Sequence, residues 1–145
     1  MVDRQDNFVD RRTKAREIAM QSLFQLDVQG SDMLDQISQF IKNEAEDEMV
    51  FSMARQWAVE TWNNIDACDE LIKTAATKWD LTRLSSVDRS ILRLSAYQMK
   101  FCPDIPGKVI INEAIEIAKK YSGVQSPGFV NGVLDAILKS LQGDK

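Results

Sequence analysis

The sequence predicts an all-α protein of about seven helices, because apolar residues recur at three-to-four spacing along nearly the whole chain. No stretch shows the alternating pattern of a half-buried strand. The 145 residues include only six Gly and three Pro, fewer than a turn-rich all-β fold would use. A chain of this length fits one domain, or two small subdomains that share a core.

Three helices are predicted in the N-terminal half. Asp10 can cap the first, whose apolar pattern stops near Gly30. The pair Ser31–Asp32 can cap a shorter second helix. The acidic run at residues 44–48 separates it from a third helix, which ends near Asn64.

Four more helices are predicted in the C-terminal half. The fourth starts near Asp66 and extends to Trp79, and residues 80–83 form a tight connector to the fifth. The sixth follows the two prolines of segment 102–107. The seventh starts at Ser126–Pro127, where a capping serine precedes a proline at the first helical position.

The fifth helix is expected to be the most buried, because its apolar residues surround most of the cylinder. These residues are Val87, Ile91, Leu92, Leu94, Ala96 and Met99. Ser85 or Ser86 caps this helix. With Ser85 as the cap, Asp88 falls three residues later, which resembles a capping box with Asp in place of Glu.

Charge is distributed unevenly, although the net charge is only −4. Residues 11–16, called the basic segment below, contain four cations and no acid: Arg11, Arg12, Lys14 and Arg16. Residues 32–48 contain six acids and one lysine. A focused basic spot on an acidic chain indicates a specific anionic ligand at one place.

The basic segment is the first candidate RNA contact. Its cations lie at the positive end of a helix dipole, which is unfavourable for folding and therefore hints at a ligand. Arginine binds phosphates with two parallel hydrogen bonds and stacks on bases, which suits single-stranded RNA. A solvated helix face is the alternative interpretation.

The inter-helix segment 79–89 is the second candidate. Trp79 could stack on a base, while Arg83 and Arg89 could hold phosphates. In the alternative interpretation, Trp79 is a core residue and Asp88 only caps a helix.

Catalysis and cofactors are not expected. The chain has no histidine, which excludes Ser-His-Asp and Cys-His catalysis and His-ligated zinc. Glu113 and Glu116 are paired carboxylates without a third ligand, so a solvated helix face is predicted rather than an acid–base or metal site. Cys68 and Cys102 lie outside any CxxC motif and are predicted to be reduced thiols, buried or half-buried. Gly132, inside a predicted helix, indicates close helix packing or a closely approaching partner.

No apolar run is long enough for a membrane span. Residues 1–10 are polar and contain three Asp, unlike a signal or transit peptide, and are predicted to be a disordered tail. A cytoplasmic protein is expected.

Four blocks of sequence carry a further signal. They are Arg12-x-Lys14-Ala15-Arg16-Glu17-x-Ala19, Leu81-x-Arg83-Leu84-x-x-Val87-Asp88-Arg89, Ile111-Asn112-Glu113-Ala114-Ile115-Glu116, and Phe129-Val130-Asn131-Gly132-Val133-Leu134-Asp135. In this order they resemble the NusB family of bacterial transcription antitermination factors, over about residues 11–138. Between residues 30 and 65 the resemblance is only a helical pattern.

The resemblance implies one NusB-like RNA-binding domain over residues 1–145, made of two packed helical bundles at about 10–65 and 66–142. It also implies recognition of boxA RNA in ribosomal RNA leaders together with the ribosomal protein NusE, within the antitermination complex of RNA polymerase.

Residue roles follow from the same resemblance. The implied RNA contacts are Arg11, Arg12, Lys14, Arg16, Trp79 and Arg83, to which the charge argument above adds Arg89. The implied partner contacts are Asp88, Lys108 and Phe129. Thr13 interrupts the arginine run, and Gly107 has no side chain where a larger residue can contact the partner. The competing hypothesis is a protein interaction module or homodimer, in which the basic segment meets an acidic partner such as another copy of the chain.

Overall fold

The computed structural model describes the backbone of residues 4–143 and the side chains of residues 11–143. Within these bounds it is all-helical, as predicted, and contains no strand. The seven α-helices are α1 Arg4–Gln29, α2 Leu34–Glu44, α3 Glu48–Asn63, α4 Ile65–Ala75, α5 Ser86–Phe101, α6 Gly107–Tyr121 and α7 Ser126–Gly143. Two short 3₁₀ turns, Ser31–Met33 and Leu81–Arg83, precede α2 and α5.

Two helix boundaries differ from the prediction. Helix α1 begins at Arg4 rather than near Asp10, while residues 1–3 of the predicted tail lie outside the described residues. Helix α4 ends at Ala75, so Trp79 lies in a turn. The carboxylate of Asp80 accepts hydrogen bonds from the backbone N–H and the hydroxyl of Thr82, at 2.9 and 2.7 Å. This local turn offers the backbone an alternative to further helix.

The predicted caps are partly correct. The hydroxyl of Ser85 accepts the backbone N–H of Asp88 at 3.1 Å, so Ser85 is the cap of α5. The Asp88 carboxylate accepts hydrogen bonds from the hydroxyls of Ser122 and Ser126, at 2.7 and 3.1 Å. Ser126 is therefore the first residue of α7 rather than its cap. Gly30 ends α1 with a φ of 88°, a conformation that glycine adopts without strain.

Helices α1 and α5 form the centre of the fold. α1 packs against α2, α3, α5 and α6, and α5 packs against α1, α3, α4, α6 and α7. α5 buries eight residues, and α1 buries as many of its described ones. Buried apolar residues from all seven helices form one continuous cluster. The two predicted bundles therefore share a core through the α1–α5 contact, and their limits stay a prediction.

A network of four charged side chains crosses this contact. Asp27 of α1 accepts hydrogen bonds from Arg89 at 2.7 Å and from Arg93 at 2.9 Å. Arg93 also donates to Asp69 of α4, at 2.8 and 3.0 Å. The four side chains are only 11–18% exposed. The network therefore joins α1, α4 and α5 where water screens little of the attraction.

Arg89 also fixes the turn before α5. Its guanidinium donates to the backbone carbonyls of Leu81 and Leu84, both at 2.9 Å. Burial of the Asp27 carboxyl acts to raise its pKa, but hydrogen bonds from Arg89 and Ser86 outweigh burial, so the pKa lies below its usual value. Asp27 is therefore ionised whenever the protein is folded near neutral pH.

Replacing Asp27 with Asn should lower the free energy of unfolding by on the order of 3 kcal/mol, because it leaves two nearly buried arginines with one carboxylate between them. Urea denaturation measures this difference. Asp104→Asn is the matched control in an exposed turn and should change the stability by less than about 0.5 kcal/mol. Equal effects of the two substitutions would contradict the role given to the network.

Acid should weaken the same interaction. Because the pKa of Asp27 in the folded state is below its ordinary value of 3.8, its contribution to stability is present above about pH 4 and is lost as the pH falls through the folded-state pKa. The difference in unfolding free energy between the parent and Asp27→Asn should therefore shrink between about pH 7 and about pH 3. A difference that stays constant over this range would argue against an ionised Asp27.

Candidate nucleic-acid interface

The basic segment lies on α1 and faces two other elements of the fold. A groove of about 480 Å³ opens between the segment, the α2–α3 connection and the end of α6. It is lined by Arg11, Thr13, Lys14, Glu17, Glu46, Asp47, Val50 and Lys120. Three of these residues are cations and three are acids. The groove beside the basic segment is therefore close to neutral, although the segment itself contains four cations.

Arg11 is paired with the acidic run. Its Nε donates to Oδ2 of Asp47 at 2.8 Å, and the two side chains are 45% and 36% exposed. Oδ1 of Asp47 accepts the backbone N–H of Val50 at 2.9 Å and caps α3. This backbone hydrogen bond, together with Arg11, lowers the pKa of Asp47. The acidic run, predicted only as a separator of helices, is thus a neighbour of the basic segment.

Arg16 corrects the prediction for its position. It is 3% exposed, its Nη1 donates to Glu113 at 3.0 Å, and its guanidinium lies 5.1 Å from the centre of the Trp57 ring. The Thr13 hydroxyl donates to the same oxygen of Glu113 at 2.7 Å. Burial outweighs the attraction of Glu113 and lowers the pKa of Arg16. An RNA contact is not supported for Arg16, and Glu113 is a bridge to α1 rather than part of a solvated face.

The end of α6 supplies two cations that were not among the predicted RNA contacts. Lys119 and Lys120 are exposed. Glu17 of α1 accepts hydrogen bonds from Lys120 at 3.1 Å and from the Tyr121 hydroxyl at 2.8 Å. These contacts hold the end of α6 beside the basic segment. Position in the sequence gave no sign of this, because more than 100 residues separate Glu17 from Lys120.

A second groove, of about 520 Å³, contains the other predicted RNA contacts. Trp79 is 59% exposed, and its ring meets the ring of Phe129 edge to face, with 5.0 Å between centroids. The Arg83 side chain is 88% exposed and lies 3.9 Å from Asp80. The interpretation of Trp79 as a core residue is therefore wrong. A half-exposed aromatic pair with a cation beside it can stack on a base and hold a phosphate.

Arg89 corrects the second prediction of a phosphate contact. Its guanidinium hydrogen-bonds to Asp27, to Ser86 and to two backbone carbonyls, and its side chain is 15% exposed. Because these partners occupy it, the Arg89 guanidinium is not available to bind an RNA phosphate at the surface. Arg89 instead holds the turn that presents Trp79 and Arg83.

The two grooves approach each other at the end of α6. Lys120 lines the first groove, and Ser122, two residues later, donates to Asp88, which lines the second. Consecutive Cα atoms are about 3.8 Å apart, so Lys120 and Ser122 lie less than about 8 Å apart. The groove that contains Arg11 and Lys14 and the groove that contains Trp79 and Arg83 are therefore neighbours.

The predicted partner contacts do not form a single cluster. Asp88 and Phe129 line the second groove, whereas Lys108 is exposed at the opposite end of α6. The rise of an α-helix separates Lys108 from Ser122 by about 20 Å. A partner protein that contacts all three residues must cover the length of α6.

Two glycines behave differently from expectation. Apart from the neighbouring backbone of its own helix, no atom lies within 4 Å of the position a Cβ would take on Gly132, so close packing against another helix does not explain it. A Cβ on Gly107 would lie 2.6 Å from Cδ1 of Leu138. The absence of a side chain at Gly107 therefore makes room for the Leu138 side chain of α7 at the start of α6.

The remaining polar groups offer little chemistry. Cys68 is buried and Cys102 half-buried, as predicted, and neither forms a disulfide. Burial raises the pKa of the Cys68 thiol to about 12, so it is not a reactive thiolate. Among residues 11–143, no three Cys, Asp or Glu side chains are placed to hold a metal ion. No helix in the described part of the chain is long and apolar enough to cross a membrane.

Comparison with known proteins decides the family. A family model described as the NusB family matches residues 13–139. The chain belongs to the NusB family. Transcription antitermination protein NusB of Clostridium perfringens is 39% identical over 133 residues, which cover 90% of this chain and 98% of that protein. Its namesake in Anaeromyxobacter dehalogenans is 42% identical over 132 residues, covering 90% and 92%.

Solved structures support the same fold. T. maritima NusB is 37% identical, with a TM-score of 0.77, and the match covers 88% of this chain and 90% of that one. NusB crystallised with NusE and double-stranded RNA has a TM-score of 0.82 at 23% identity, covering 90% and 98%. At that identity the second likeness establishes the fold alone.

Substitutions of Arg16 and of Arg12 should differ in their effect on the free energy of unfolding. Arg16→Ala should lower the free energy of unfolding by about 2 kcal/mol, because it removes a buried ion pair and the packing over Trp57. Arg12→Ala, at an exposed position of the same helix, should lower it by less than about 1 kcal/mol, because exposed contacts of a surface cation contribute little. Thermal or urea unfolding measures both. Equal losses would contradict the structural role assigned to Arg16.

Proposed function

We propose that this protein is an RNA-binding transcription antitermination factor. It recognises boxA RNA of ribosomal RNA leaders together with the ribosomal protein NusE and joins the antitermination complex of RNA polymerase in the cytoplasm. It does so by binding, without catalysis. The observation that carries the proposal is the pair of neighbouring grooves, lined by cations in one and by Trp79, Phe129 and Arg83 in the other, in a chain about 40% identical to antitermination proteins over 90% of its length.

The RNA backbone would run from the first groove, beside α1, to the second groove, at the turn before α5. Arg11, Arg12 and Lys14 neutralise phosphates at one end, and Lys119 extends the cationic surface along α6. A base stacks on Trp79 at the other end, where Arg83 holds a neighbouring phosphate. Phosphate contacts position the strand, and base contacts supply the sequence preference.

NusE would complete the surface. A structural neighbour was solved as NusB with NusE and RNA, which is the precedent for the pair. Phe129 packs against Trp79, so a protein that contacts Phe129 also borders the proposed base position. Binding of the partner beside the RNA extends the platform, and the affinities for RNA and for NusE should therefore increase together.

A homodimer through the basic segment is less well supported. In that hypothesis a second copy supplies the acidic partner. Asp47 of the same chain already lies 2.8 Å from Arg11, and Glu113 is paired with Arg16. The acids that the segment attracts are therefore supplied within one molecule.

Two substitutions should distinguish the phosphate contacts from the base contacts. In the presence of NusE, the logarithm of the affinity for boxA RNA should fall linearly with the logarithm of salt concentration. Arg12→Ala should reduce the magnitude of this slope by about 0.7, which corresponds to one phosphate contact to single-stranded RNA. Trp79→Ala should lower the affinity about tenfold at every salt concentration, with an unchanged slope. Fluorescence anisotropy with labelled RNA measures both quantities.

The controls use the same chain. Lys139→Ala removes an exposed cation from the far part of α7 and should leave affinity and slope unchanged. Trp79→Phe should retain most of the affinity, because it keeps an aromatic face. An affinity that is independent of salt, or equal losses for Lys139→Ala and Arg12→Ala, would overturn the proposed function.

A further inference from the structure

The acidic run beside the basic segment has a position that helix capping alone does not explain. Asp47 holds two donors with its two oxygens: Oδ1 accepts the N–H of Val50, and Oδ2 accepts Nε of Arg11. The first contact caps α3. The second places the Asp47 carboxylate against the guanidinium of Arg11, which belongs to the proposed RNA surface.

The charges of the first groove balance. Its cations are Arg11, Lys14 and Lys120, and its acids are Glu17, Glu46 and Asp47. A groove that binds a polyanion would be expected to be positive. Glu17 is held by Lys120 and Tyr121, whereas Asp47 holds Arg11, a cation of the basic segment.

The Arg11–Asp47 pair is suited to exchange. Both side chains are more than one-third exposed, and exposed ion pairs contribute little to stability. Arg16–Glu113 is the contrasting pair, since the Arg16 side chain is 4% exposed and cannot leave its partner without exposing a buried site. Asp47 is fixed by its bond to Val50, whereas Arg11 has a long side chain that can turn towards the groove.

We infer that Asp47 acts as a built-in phosphate mimic, which occupies the guanidinium of Arg11 in the free protein and is displaced by an RNA phosphate on binding. The inference rests on the proposed function, because it names what competes for the RNA surface. A carboxylate and a phosphate both present oxygens to an arginine fork, so one replaces the other without a change of fold. The protein thereby lowers its own affinity for RNA.

The salt dependence should show this competition. An RNA phosphate that binds Arg11 releases a condensed cation from the RNA. In the parent protein the displaced Asp47 carboxylate is left with its negative charge and attracts a cation from solution, which offsets this release. With a neutral side chain at residue 47 nothing offsets it. Removal of the charge at residue 47 should therefore steepen the salt dependence as well as raise the affinity.

The test is a double-mutant cycle on the full chain with NusE and boxA RNA. Asp47→Asn keeps a good helix cap and removes the charge. It should raise the affinity about threefold at low salt and increase the magnitude of the salt slope by about 0.7. Arg11→Ala should weaken binding more strongly in the Asp47→Asn background than in the parent, because only there is Arg11 free of its carboxylate.

Glu48→Gln is the matched control, since it removes the same charge from the adjacent residue and leaves the Arg11–Asp47 contact in place. It should have a smaller effect and no coupling to Arg11. If Asp47→Asn raises the affinity equally with and without Arg11, the effect is a long-range one and the inference is overturned, while the proposed function stands. If no form binds RNA in a salt-dependent way, the proposed function fails and this inference fails with it.

Discussion

The network of Asp27, Asp69, Arg89 and Arg93 determines how the rest of the molecule is arranged. It joins one residue of α1, one of α4 and two of α5 in a site that is 11–18% exposed. Two carboxylates and two guanidinium groups balance one another, and each makes short hydrogen bonds, which offset the desolvation of buried charges. Arg89 extends the network to the backbone of the turn at Leu81–Arg83. The internal network thus sets the orientation of an external surface.

Arginine has two distinct roles in this fold, and solvent exposure separates them. Arg11 and Arg83 are exposed and weakly paired, so their charge is available to a ligand. Arg16 and Arg89 are buried against carboxylates, and each binds one helix to a neighbouring segment. Water screens the first kind of pair and not the second, so the same side chain is exchangeable in one place and structural in the other.

The fold was predictable because it follows from local rules. The spacing of apolar residues gave seven helices, and the serine before α5 gave its cap. The end of α4 was missed, because the backbone leaves the helix at Ala76 and forms a turn in which the N–H of Trp79 donates to the carbonyl of Ala76 at 3.0 Å, at a segment whose composition permits either. The family blocks predict where the functional surface lies, but a block contains inward and outward residues alike. That is why Arg16 was assigned with its exposed neighbours. Arg89 was assigned from its charge, which does not indicate whether a side chain faces inward or outward.

The sequence by itself determined the helices, the family and the presence of a cationic segment, because these depend on residues close together in the chain. Only the tertiary structure decided the charge that a ligand meets. Asp47 comes from the α2–α3 connection and Glu113 from α6, and both lie against the segment, although no acid occurs within residues 11–16. Electrostatic attraction depends on distance through space and on burial, and neither quantity follows from order along the chain.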